Sequence, residues 1–122
     1  MKVEPRVIGY RETLRRLTLN DPRFLDAASG GDATRMLSLD ARVVALLRLA
    51  CLVAIGGPDT AYAHAVSVAQ ASGATEDDIA GALVAVAPIV GSARVVTAAP
   101  RVALAMGYDV EADLEAWPEL PG

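Results

Sequence analysis

Residues 43–55 read Val43-Val44-Ala45-Leu46-Leu47-Arg48-Leu49-Ala50-Cys51-Leu52-Val53-Ala54-Ile55, with Arg48 as the only charge. So apolar a run has to leave water, yet it is shorter than the ~20 residues a membrane-spanning helix needs. It predicts a central helix over 40–55, apolar nearly all round and buried within a soluble fold. Gly56-Gly57 ends it, and Pro58 opens the next helix at the position proline tolerates best.

The rest of the chain is punctuated in the same way. The helix from Pro58 is expected to reach about Ser72, with Gly73 in the left-handed position past its end. Thr75 caps a third long helix, with Asp78 in the reciprocal place of a capping box. Glu76, Asp77 and Asp78 favour the positive end of that helix dipole. Ile79, Leu83, Val86 and Val90 form its apolar stripe, and Pro88 is expected to kink or end it. A fourth helix spans 92–106, with Pro100 inside it, and stops at Gly107. A short last helix runs over 109–117. Before the core, a short helix over 11–19 is stopped by Asn20-Asp21-Pro22. A second begins with Pro22 and is anchored by Phe24 and Leu25, and Ser29-Gly30-Gly31-Asp32 is a loop. Strand signals are weak throughout, so the fold class is all-α, one domain over 1–122 with short helices in 1–37 and a core in 38–117.

Composition narrows the class further. Apolar residues make up 53% of the 122 residues and aromatics only 4%. Small aliphatics must therefore do the packing, with helices close together. Mean hydropathy is +0.36, more apolar surface than one small domain hides, and the excess is expected to be subunit interface. The net charge of -4 and the lack of a basic stripe exclude nucleic acid as a partner. A single cysteine, Cys51, cannot form an internal disulfide, which fits a reducing cytoplasm. The charged, proline-broken start argues against a secretory signal. No membrane association and no cofactor is expected.

The segment Gly73-Ala74-Thr75-Glu76-Asp77-Asp78-Ile79 resembles the helix junction of the carboxymuconolactone decarboxylase / alkylhydroperoxidase D-like superfamily. Leu39-Asp40-Ala41-Arg42 resembles its upstream helix start. Pro88-Ile89-Val90-Gly91-Ser92-Ala93-Arg94 and Gly107-Tyr108-Asp109 resemble its following turn and exit. The resemblance implies an all-α fold built around an antiparallel helix pair, assembled as a homotrimer or homohexamer. It also implies either acid/base decarboxylation of a γ-lactone or peroxide reduction through a Cys-x-x-Cys with nearby His and Glu. Counting back from Gly73, the places of the two thiols and the His are held by Pro58, Ala61 and Ala65. Val43 follows Arg42 where the family's acid often stands. The dithiol mechanism is therefore excluded.

His64, the only histidine, sits one residue before the family place, which is ~100° of rotation on a helix. Ala61, Ala65, Val68, Ala69 and Ser72 are expected to face the core, putting His64 at the border beside Val68. It is either an acid/base imidazole at a pocket rim or a boundary contact. Tyr62 either lines a pocket or packs with its hydroxyl bonded. Cys51, on the most apolar helix, is expected to be a buried small hydrophobe. Arg42 and Arg48 stand on that same helix. Arg94 and Arg101, seven apart, project from one side of a helix, so they either clamp a carboxylate or pair with a neighbouring subunit. The consecutive acids 76–78 fan around their helix, and no metal-ligand spacing exists elsewhere.

Two functions follow. One is a small-molecule site between subunits, with acid/base chemistry on a lactone- or carbonyl-type substrate by His64 with Tyr62 and Arg42 or Arg94. The other is an inactive ligand-binding or scaffold oligomer of the same fold. Light scattering should find a trimer or a multiple of three; a monomer stable at micromolar concentration would contradict this. Alkyl hydroperoxides should not be turned over, and Cys51→Ser should leave any other activity intact. Peroxide turnover that disappears in Cys51→Ser would overturn that expectation.

Overall fold

The computed structural model describes residues 9–29 and 38–116, with side chains described for 9–26 and 38–116. Seven helices and no strand are found among the described residues: α1 (Tyr10–Thr18), α2 (Pro22–Ser29), α3 (Ala41–Ile55), α4 (Asp59–Ala71), α5 (Glu76–Val90), α6 (Ser92–Ala105) and α7 (Val110–Ala116). The expected loop at 29–32 lies outside the described residues beyond Ser29, as does the end of the last helix at Trp117. No helix among the described residues is long and apolar enough to cross a membrane.

The chain divides into two compact units, one up to Val44 and one from Ala45 onward. In the first, α1 packs on α2. Phe24 is buried there, and the Arg16 guanidinium lies 5.5 Å from its ring centre. Glu12 accepts from Arg15 at 2.7 Å and from Arg16 at 2.9 Å. These bonds, Arg15's foremost, hold the Glu12 carboxyl down at about 2. Because the folded value is depressed, this anchoring is complete above the usual carboxylate range and is lost as pH falls through about 2. Pro22 opens α2 as expected, with the Asp21 carboxylate accepting from the Arg23 amide at 3.0 Å.

The second unit is organised around α6, which packs against α4, α5 and α7, while α4 also meets α5. Ala45, Leu49 and Val53 of α3 join Tyr62, Val66 and Ala69 of α4, Ile79 and Leu83 of α5, and Ala98 and Val102 of α6 in one core. Burying a side chain such as Ile79, which is wholly inaccessible, contributes about 2–3 kcal/mol.

Helix ends follow the sequence punctuation. The Asp78 amide donates to Thr75 Oγ1 at 3.0 Å, and the Thr75 amide donates to Asp78 Oδ2 at 2.9 Å, completing the capping box. Gly73, at φ +96°, closes α4. There the Ala74 amide reaches the Ala69 carbonyl at 2.9 Å, and the Gly73 amide reaches that of Gln70 at 3.1 Å. This double bond pattern needs a left-handed residue, which glycine adopts without strain. Past α6, Tyr108 and Gly107 make the same pair of bonds, to Ala103 and Leu104.

Three expectations are corrected, and a fourth, that Pro88 kinks or ends α5, loses its second alternative. Cys51 is exposed, because Ala45, Leu49 and Val53 set the inward face of α3. Cys51 stands about 200° round from Leu49, between the exposed Leu47 and Ile55. The inward face of α4 is Tyr62-Val66-Ala69, turned by about one residue from the expected Ala61-Ala65 face. That rotation buries Tyr62, the largest apolar side chain of the helix, together with Val66, and leaves Val68 exposed. Pro58 is the residue before α4, not its first. Pro88 does not end α5, which continues to Val90. The amide that Pro88 lacks would have served the Val84 carbonyl, and Val84 and Pro88 are both exposed.

Thr75→Ala should cost about 1 kcal/mol in chemical denaturation, because it removes the oxygen that satisfies an otherwise orphaned amide at the start of α5. A stability loss within error would show that the capping box contributes nothing.

Candidate functional site

The site begins with the turn between α3 and α4. Gly56, at φ +79°, reverses the chain after its amide reaches the Leu52 carbonyl at 2.7 Å. Gly57 brings the backbone close in; a Cβ there would lie 2.9 Å from Leu52 Cδ1 and 3.4 Å from Ala61 Cβ. This tight turn presents the Gly57 carbonyl to α6, where Arg101 Nη1 donates to it at 3.0 Å. Arg101 Nε also faces Asp59 Oδ1 at 3.5 Å. Its guanidinium carbon lies 5.8 Å from the centre of the Tyr62 ring. The exposed ion pair itself contributes little, between about 0 and 1 kcal/mol. The carbonyl and the ring do more to fix where Arg101 points.

Arg94, Thr97 and Arg101 are spaced i, i+3, i+7 along α6 and so share one side of it. With Val53, Gly56, Tyr62 and Ala93 they line a pocket of about 250 Å³. The ring of Tyr62 is buried, with 3% of the residue exposed, while both arginines stay accessible. The Thr97 hydroxyl is spent on the Ala93 carbonyl at 2.9 Å. Arg94 has no hydrogen bond or ion pair among the described residues, so one guanidinium is fixed and the other is free. Both guanidiniums thus line the same pocket, one bonded to the Gly57 carbonyl and one with donors left over.

A larger cleft of about 600 Å³ adjoins it, sharing Thr97 and Arg101, and extends between α4, α6 and α7. Its wall includes Ala63, Pro100, Leu104, Ala105 and Val110, and its acids are Asp59, Asp109 and Glu111. The Asp109 carboxylate accepts from the Ala112 amide at 3.1 Å at the start of α7. Nearby, the Tyr108 hydroxyl donates to Asp113 at 2.6 Å. That bond to a carboxylate is the chief reason its ionisation is pushed up.

The structure thus brings Tyr62 and Arg94 together and adds Arg101 to them. Arg42, in the first turn of α3, is half-buried and already engaged, and is not among the residues that line the pocket. His64 is exposed and lines neither cleft; it lies about 200° round α4 from Tyr62. Its place at the core border is therefore corrected: with Tyr62 inward, His64 is exposed. Sequence reasoning missed Asp109 and Glu111, whose only sequence signal was their position just past the Gly107 turn. Among the described residues no set of His, Cys, Asp or Glu side chains is grouped to hold a metal ion.

These features define an all-helical protein with an arginine-lined pocket where α6 meets the α3–α4 turn. The sequence profile of the carboxymuconolactone decarboxylase family matches residues 22–105, well over half of the chain, and the protein belongs to that family. No curated protein and no solved structure matches it.

Proposed function

We propose that this family member binds a small carboxylate-bearing molecule of lactone or carbonyl type in the Tyr62–Arg94–Arg101 pocket, within a homotrimer or homohexamer. The observation that carries the reading is the convergence of the two arginines on one pocket, with Arg94 unpaired and Arg101 held in place by Gly57 and Tyr62. Self-association is supported by apolar side chains left in solvent: Leu47 and Ile55 on α3, and Val84 and Ile89 on α5, the last 88% exposed. Further large apolar side chains stand in solvent elsewhere, Val96 on α6 among them at 70% exposed, and a chain with this much exposed apolar surface has a reason to bury it against copies of itself.

Acid/base chemistry in this site falls to His64, the only imidazole in the chain. Since His64 lines neither cleft of its own protomer, it acts, in this reading, on the pocket of a neighbouring copy. The lone Cys51 supplies no dithiol, so the reading excludes the redox branch of the superfamily. A second reading, an inactive ligand-binding or scaffold oligomer, is favoured by one observation, the outward placement of His64.

Calorimetric titration with a γ-lactone carboxylate tests both. Binding should weaken about tenfold or more in Arg94→Gln, which removes a charge-assisted contact and leaves the fold untouched. Unchanged affinity would overturn the carboxylate site. If turnover accompanies binding, His64→Gln should slow it about 100-fold; binding without turnover, indifferent to His64→Gln, would favour the scaffold reading.

A further inference from the structure

The ring of Tyr62 is packed into the core of the second unit, with 3% of the residue exposed. Its hydroxyl nevertheless has no hydrogen-bond partner among the described residues. No side-chain oxygen or nitrogen among them is both sealed from solvent and without a partner. The little of Tyr62 that stays accessible therefore includes the hydroxyl oxygen, and Tyr62 lines the arginine pocket. The core holds the ring, and its polar end is left to whatever enters the pocket. A tyrosine placed for packing alone usually bonds its hydroxyl to the protein.

The rest of the wall says what that hydroxyl can meet. Arg101 gives one N–H to the Gly57 carbonyl and faces Asp59, while Arg94 gives none. The two guanidiniums still have more N–H donors than the roughly four lone-pair positions of one carboxylate. A carboxylate held by the arginines thus leaves the Tyr62 hydroxyl over. The Arg101 guanidinium carbon lies 5.8 Å from the Tyr62 ring centre, so positive charge and hydroxyl share one wall. Such a wall favours a ligand rich in acceptors, and a neutral single donor suits a carbonyl oxygen. A pocket of about 250 Å³ is smaller than those that hold drug-sized ligands, so carboxylate and carbonyl must sit on one compact body.

We propose that Tyr62 is the specificity-determining residue of this pocket: its hydroxyl donates to a neutral carbonyl oxygen of the compact ligand whose carboxylate the arginines hold. The inference rests on the carboxylate reading above and adds a second point of recognition to it. A carboxylate without that carbonyl still meets the guanidiniums. Its body, however, covers the hydroxyl and takes it from water with no bond in return.

Calorimetric titration of the assembled full-length chain with two probes on one ring tests this. One is 5-oxotetrahydrofuran-2-carboxylate, which carries a lactone carbonyl; the other is tetrahydrofuran-2-carboxylate, which lacks it. The lactone should bind about tenfold more tightly, a difference of the size one hydrogen bond makes. Tyr62→Phe keeps the buried ring and should bring the lactone down to the affinity of the plain acid, which it should leave unweakened. Arg94→Gln should weaken both probes. Should Tyr62→Phe fold poorly, the Tyr62 Cζ resonance of the unmutated chain decides: saturation with the lactone should shift it far more than saturation with the plain acid. Equal affinity for the two probes, or a loss in Tyr62→Phe shared equally by both, would overturn the proposal; the carboxylate site stands in that case if Arg94→Gln still weakens both. Probes that do not saturate, or that bind alike with and without Arg94→Gln, overturn the carboxylate reading and the proposal with it.

Discussion

Close packing of α6 against its neighbours is the constraint on which the second unit depends. Ala98 and Val102 on α6, Val66 and Ala69 on α4, and Ile79 on α5 have essentially no accessible surface. With so few aromatics in the chain, side chains this small fill a core only if the helix backbones come close. Any enlargement at Ala69 or Ala98 would push helices apart, and overpacking of that kind typically costs about 1–3 kcal/mol. The same closeness brings the α3–α4 turn within reach of Arg101. The Gly57 carbonyl can anchor the guanidinium only because α6 runs beside the start of α4.

The fold was largely legible in the sequence because its punctuation is chemical. Thr75 and Asp78, Gly73, Gly107 and Asp21-Pro22 each have one local arrangement that satisfies orphaned backbone groups, and the chain adopts it. Rotation about the helix axes was less legible. The apolar residues of α3 surround it, so periodicity could not tell the inward Leu49 from the outward Cys51. On α4 the alanines diluted the pattern, and two valines, Val66 inward and Val68 outward, competed for the core; the inward face follows Tyr62, the largest apolar side chain. Pro88 forfeits one hydrogen bond in an exposed turn, too little to end the helix there, though only two residues of it remain.

The site was legible in part. The seven-residue spacing of Arg94 and Arg101 placed both on one side of α6, and the structure gives them a shared pocket with Tyr62. The role of Gly57 was not legible, since a backbone carbonyl leaves no trace in composition and its partner lies 44 residues away. The larger cleft depends on α7 lying beside α6, a tertiary relation that no local pattern encodes. His64 drew attention as a lone imidazole, but its position follows from the phase of α4, and that phase carries it away from both clefts.

The central claim is that Arg94 and Arg101 together receive a carboxylate. It is tested most directly by following the arginine side-chain Nε–H resonances while a small lactone carboxylate is titrated. The account predicts saturable shifts at Arg94 and Arg101 with a common midpoint, while Arg48 stays unchanged. Shifts that rise without saturation, or that are equal at all arginines, would contradict it.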